Sequence, residues 1–166
     1  TLSVSWESTG VIVSSGTDTS IDLTGNTGST NVVVTVYIPS GKKFSYLTCE
    51  SISLTTLDIS GNTSLIILLC SYNLNLNTLD TSNNTSLETL WTHDNNLTTL
   101  DLSSNTLLDS VLIFRNNLTT TSKDNVYIDL DAHFLSDGNL QLDAGRSSAS
   151  NTARANLITK GWSISD

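Results

Sequence analysis

Trp91, His93 and Asp94 stand together in the stretch 91–94 of a 166-residue chain that holds only three tryptophans and two histidines. An imidazole beside a carboxylate can move a proton, and an indole can stack on a sugar face or anchor a protein partner. With Glu88 upstream, the His93–Asp94 pair resembles an acid/base group. The grouping is poor for catalysis. Glu88 falls on the segment leading into the stretch, and the neighbouring positions form a shallow surface, whereas active sites are concave and dry. The sequence has no Gly-rich phosphate loop, no nucleophile motif and no metal constellation. No catalytic residue and no cofactor is expected, and the chain is read as non-enzymatic.

Other reactive groups are weaker candidates. Asp58, Asp80 and Asp101 recur in like positions and could gather Ca2+, but calcium takes six to eight oxygens in a cage, and a single file of carboxylates is better read as a solvated acidic stripe. His93 and His133 lie in different segments with no Cys or His at ligand spacing, so no metal site is expected. Cys49 and Cys70 are the only cysteines; a disulfide is conceivable, but two inward neighbours are more readily thiols packed as small hydrophobes. Asn62, Asn84, Asn96 and Asn117 each open an N-x-Ser/Thr sequon, the first two as a by-product of the repeat described next.

The elements that position Trp91 and its neighbours are set by internal repetition. A frame Leu-x-apolar/Thr-x-x-Asn ends at Asn62, Asn73, Asn84, Asn95, Asn105 and Asn116. Alternate frames match best. One series reads LDISGN from Leu57, LDTSNN from Leu79 and LDLSSN from Leu100; the other reads LTCESI, LLCSYN, LWTHDN and VLIFRN from Leu47, Leu68, Leu90 and Val111. The unit is therefore a pair of frames, and Leu-x-Leu alternation at that period signals a leucine-rich-repeat solenoid. The recurrent Asn turns the chain, and its amide can bond the backbone of neighbouring units. A single unit cannot bury its apolar side, so stability comes from stacking.

The outward slots separate two faces. In the LD series they are uniformly small and polar. In the other series they hold Thr48, Leu69, Trp91 and Leu112; then Glu50, Ser71, His93 and Phe114; then Ser51, Tyr72, Asp94 and Arg115. With units about 4.8 Å apart, Leu69, Tyr72, Trp91, His93, Leu112 and Phe114 are expected to form one exposed patch edged by Asp94 and Arg115. Aromatic anchors with an arginine are the usual composition of an interface. Trp91 and Phe114 would stack on sugars while His93 and Asp94 bond hydroxyls, or the same residues would anchor a protein.

These repeats resemble bacterial surface leucine-rich-repeat proteins of the internalin type, in particular the short-repeat group in which Cys replaces a core Leu to form a cysteine ladder. Cys49 and Cys70 match that slot, whereas Thr92 and Ile113 depart from it in the next two units. The ending SSASNTARANLITKGWSI (147–164) is similar to the C-terminal cap of such repeats in predicted phage tail-fibre proteins. The resemblance covers roughly Phe44 to Asp166 and speaks to the fold more than to the ligand.

The expectation is one domain: a β-rich N-terminal cap over 1–46, a solenoid over 47–118 with short parallel strands on both faces, and a small α/β cap over 119–166. TLSVSW, GVIVSSG, SIDLTGN and NVVVTVYIP predict about four strands in the first segment. The stretch 122–135 reads either way, as alternation from Val126 to Phe134 or as a helical stripe of Val126, Leu130 and Phe134; the resemblance favours helix. A turn at Asp137-Gly138, a strand at Leu140–Leu142, a helix near Ser150–Lys160 stopped by Gly161, and a last strand with Trp162 and Ile164 follow.

The net charge of −9 and pI near 4.3, with the acid dispersed, exclude nucleic acid and anionic membrane surfaces as natural partners. No apolar run approaches a membrane span and no signal peptide is visible. The start at Thr1 is that of a processed or excised piece, or of a chain that lost its initiator Met. The expected function is recognition or adhesion on a bacterial cell surface or phage virion, binding a surface glycan or protein. The alternative is a structural part of a phage fibre, a homo-oligomer in which the aromatic face packs on a sister chain.

Overall fold

In a computed structural model of the chain, residues 45–166 are described throughout, and before them only three strands: β1 (Ser3–Trp6), β2 (Ser20–Asp22) and β3 (Val32–Tyr37). The expected strand in GVIVSSG lies outside the described residues.

Each unit of the second series makes one three-residue strand. These are β4 (Tyr46–Thr48), β6 (Ile67–Leu69), β7 (Thr89–Trp91) and β8 (Ser110–Leu112); β9 (Asn139–Gln141) and β10 (Ser163–Ser165) extend the set. The middle residues Leu47, Leu68, Leu90, Val111 and Leu140 are fully buried, while their flanks in β6–β9 stay partly open. That is the period-2 rule for a sheet with one face on the core. The six strands pair parallel in the order β10-β9-β8-β7-β6-β4, and β2 continues the sheet beyond β4. Register puts Trp91 opposite Leu69 and Leu112, and Leu112 opposite Gln141.

This architecture corrects the expected class. The molecule is an α/β domain, a parallel sheet that is neither closed nor curled with two helices, and not a mainly β leucine-rich-repeat solenoid with strands on both faces. The LD series supplies the physical reason. Asp58, Asp80 and Asp101 each accept, through Oδ1, the backbone N–H two residues on, from Ser60, Ser82 and Ser103 at 3.0, 2.9 and 2.9 Å. Such a turn bends the backbone at the Asp and stops extension beyond it. On that side only β5 (Leu54–Asp58) is extended, and it joins β3 and β1 in a separate three-stranded sheet.

The recurrent asparagines hold the units in register. Asn73 Oδ1 accepts from Ile52 and Leu54 N–H at 3.1 and 3.0 Å, and its Nδ2 donates to the carbonyls of Cys49, Cys70 and Ser71. Asn95 repeats this one unit on, accepting from Asn73 N–H at 2.7 Å and donating to the Cys70 and Thr92 carbonyls. Asn84 and Asn105 form a second such series, with Asn105 Nδ2 reaching the Thr81 and Asn84 carbonyls. Asn73, Asn95 and Asn105 are engaged on both sides of the amide, whereas Asn84 is engaged through Nδ2 alone and Asn62, at the end of its series, through neither side-chain atom. A slip in register would leave several of these polar groups unpaired.

The ambiguous stretch is helical. Helix α1 (Thr120–Ala132) is capped by Thr119, whose hydroxyl accepts from Ser122 N–H at 3.2 Å. Val126 and Leu130 are buried, whereas Ile128 is exposed and Phe134 fully so; a strand would have buried Ile128 with Val126. A short 3-10 turn (Ser148–Ser150) leads into α2 (Asn151–Thr159), which packs on α1. Gly161 ends the segment at φ +87, a left-handed value in which a side chain would meet Asp137. Leu100 N–H donates to Ser122 Oγ and Leu102 N–H to Asp129 Oδ2, which fastens α1 to the LD side of the molecule and away from the outer face of the strands. Among the described residues no helix is long and apolar enough to cross a membrane.

Candidate functional site

Strand alternation sends Leu69, Trp91 and Leu112 outward in one row, with Ile67, Thr89 and Ser110 in the row beside it. Trp91 Nε1 donates to Ser110 Oγ at 3.1 Å, on the next strand. That bond draws the indole down across the sheet and leaves it part-buried.

The chain then turns. Tyr72, Asp94 and Arg115 have φ values of 60, 54 and 52, in the left-handed region that ordinary side chains rarely enter. The conformation is held by cross-unit hydrogen bonds at 3.1 Å, from Tyr72 N–H to the His93 carbonyl and from Asp94 N–H to the Phe114 carbonyl. Backbone outliers of this kind concentrate where a surface is shaped for binding. Here they form a ridge beside the strand face.

Against that ridge sits a continuous aromatic series. The Tyr72 ring meets His93 edge-on with centroids 5.0 Å apart, and His93 lies flat on Phe114 at 4.5 Å with 5° between planes. His93 Nδ1 is 2.8 Å from Asp94 Oδ2, and Arg115 Nη1 donates to Asp94 Oδ1 at 3.4 Å while its guanidinium stands 5.7 Å from the Phe114 centroid.

The eight predicted residues are thus brought together. His93 is 8% exposed, set between Tyr72, Phe114 and Asp94 with its Nδ1 on the Asp94 carboxylate. Tyr72 and Arg115 are the exposed members; Leu69, Trp91, Asp94, Leu112 and Phe114 are partly open. Sequence reasoning passed over Ile67, Ser110, Asn139 and Gln141, which share the face. The signal was present, because the residue before each core Leu alternates outward just as the residue after it does.

A concavity away from this face was also missed. A groove of about 450 Å3 opens on the LD side, between α1 and the aspartate turns, lined among others by Asp80, Asp101, Ser103, Thr119, Asn125 and Asp129. The serine bonds hold Asp80 and Asp101 below the usual carboxylate range. Burial raises Asp129, against the Leu102 N–H and with help from the Asp101 charge. Nearby, His133 is buried, and burial lowers its pKa against the Asp129 charge. Among the described residues no three His, Cys, Asp or Glu side chains are grouped to hold a metal. Cys49 and Cys70 are buried free thiols; burial pushes Cys70 up to about 12 and raises Cys49 as well.

No protein-family model, no curated protein and no solved structure matches the chain.

Proposed function

We propose that the protein is a non-enzymatic recognition module that contacts its partner through the outer face of the strands, centred on Trp91, Phe114 and Tyr72. One observation carries this reading: an indole and a three-ring aromatic series lie side by side on a sheet face from which α1 is tied away, bordered by a left-handed ridge with Asp94 and Arg115. A contiguous aromatic surface costs solubility unless something binds it. With this reading goes an extracellular, cell-surface or virion setting and a surface glycan or protein as partner.

Light scattering combined with acrylamide quenching of tryptophan tests it. The reading expects a monomer whose emission is quenched less in Trp91→Ala than in the wild type, because of the two tryptophans within residues 45–166 Trp91 is partly open and Trp162 is buried. An obligate oligomer that shields Trp91 from acrylamide would instead make this face an assembly surface.

A further inference from the structure

We infer that the ligand of this face is a neutral glycan chain lying across the strands; the inference rests on the recognition reading above and narrows its ligand. Three observations carry it.

The first is how Trp91 is held. Its only donor is spent on Ser110 Oγ at 3.1 Å, so a ligand meets an indole face and not an indole N–H. A lowered indole presents the flat apolar platform on which the C–H face of a pyranose packs.

The second is what surrounds it. The outward positions of β6–β10 carry no ionisable side chain. The side chains of Thr89, on the indole's own strand, and of Asn139 and Gln141, on β9 one strand beyond Ser110, are engaged by no described residue. They offer hydroxyl and amide groups on the same sheet face. A pyranose has apolar faces and a hydroxyl rim, and a stacking platform edged by uncharged donors and acceptors matches both parts. A charged ligand would find no counter-charge on these strands, and an anionic one would approach a chain of net charge −9.

The third is repetition. Leu69, Trp91, Leu112 and Gln141 are in direct register on consecutive parallel strands, which lie about 4.8 Å apart. A polymer with a sugar-sized repeat laid across the strands meets an equivalent position on each.

Cellohexaose, laminarihexaose, chitohexaose and mannohexaose, with polygalacturonate as the anionic counterpart, are titrated against the whole chain, read by tryptophan emission and calorimetry. At least one neutral hexasaccharide is expected to bind saturably. Trp91→Ala should weaken it by about 10-fold or more, the loss of one stacked ring. Arg115→Ala should change it by less than about 3-fold, and raising sodium chloride to about 0.5 M should leave it intact. Circular dichroism of both variants checks that they remain folded. Binding of polygalacturonate alone, lost in high salt and in Arg115→Ala, would overturn the neutral glycan but keep the face as the contact. No saccharide binding by a monomer whose Trp91 acrylamide still reaches would overturn the glycan and point to a protein partner. No binding by an oligomer that shields Trp91 would overturn both readings.

Discussion

The His93 ring lies on the Phe114 ring at 4.5 Å and almost parallel to it, with its Nδ1 held 2.8 Å from the Asp94 carboxylate. Imidazole, phenyl and carboxylate come from two neighbouring units, and each fixes the next. Phe114 is only partly buried, so Phe114→Ala should cost about 1–2 kcal/mol, from lost ring area and lost stacking, with the urea slope unchanged. A loss above about 4 kcal/mol would mark Phe114 as core and remove it from the contact surface.

The left-handed ridge makes a prediction of opposite sign. Ser51 has φ 58, is exposed, and its backbone N–H donates to the Ser71 carbonyl. Glycine adopts that conformation without a Cβ penalty. Ser51→Gly should therefore raise stability by about 0.5–1 kcal/mol in urea denaturation. A decrease would mean that the ridge is not strained.

Asn73 should behave as the hinge of the register. Asn73→Ala removes the acceptor for two buried N–H groups and the donor for three carbonyls. The expected cost is about 3 kcal/mol or more, measured by thermal and urea unfolding. A cost below about 1 kcal/mol would show that water replaces the ladder.

Two aspartates should respond to pH with opposite signs. Asp166 is held down to about 2, first by Arg154, whose Nε and Nη2 both donate at 2.9 Å, and also by Tyr127 and Arg146. A depressed folded value contributes stability that is present above the unfolded value, about 3.9, and lost as pH falls toward the folded value. Asp166→Asn should thus lower the melting temperature at pH 6 and converge with the wild type near pH 2. Asp129 is raised by burial. Its ionised form costs stability at neutral pH, and the cost disappears as the pH falls below the unfolded value. Asp129→Asn keeps an acceptor for Leu102 N–H and should leave the pH 7 stability unchanged or slightly higher. A marked loss at pH 7 would contradict the burial argument.

Much of this surface was legible because repetition aligns residues in space. Leu69, Trp91 and Leu112 could be placed side by side from spacing alone, and their register is direct. Two things were not legible. Spacing shows that a Leu-x-Leu unit recurs, but not that the Asp of Leu-Asp will capture the N–H two residues on and bend the backbone. That local competition leaves turns at Asp80 and Asp101 where a second strand face was expected, and the two helices beside the parallel sheet make the class α/β. Nor does a column assignment give depth. His93 shares its column with Ser71 and Phe114, yet two flanking rings and a carboxylate enclose it. The groove beside Asp129 was hidden for a related reason, since its walls come from α1 and from turns some 20 to 50 residues earlier, and sequence periodicity says nothing about where a non-repeating helix docks.

The central claim is that the strand face, and not the groove beside α1, is where this protein meets its partner. Amide chemical-shift mapping during titration with the tightest-binding neutral hexasaccharide tests it most directly. The account predicts perturbations confined to 67–72, 89–94, 110–115 and 139–141. Shifts concentrated instead at Asp80, Asp101, Asn125 and Asp129 would contradict it and move the site to the other side of the molecule.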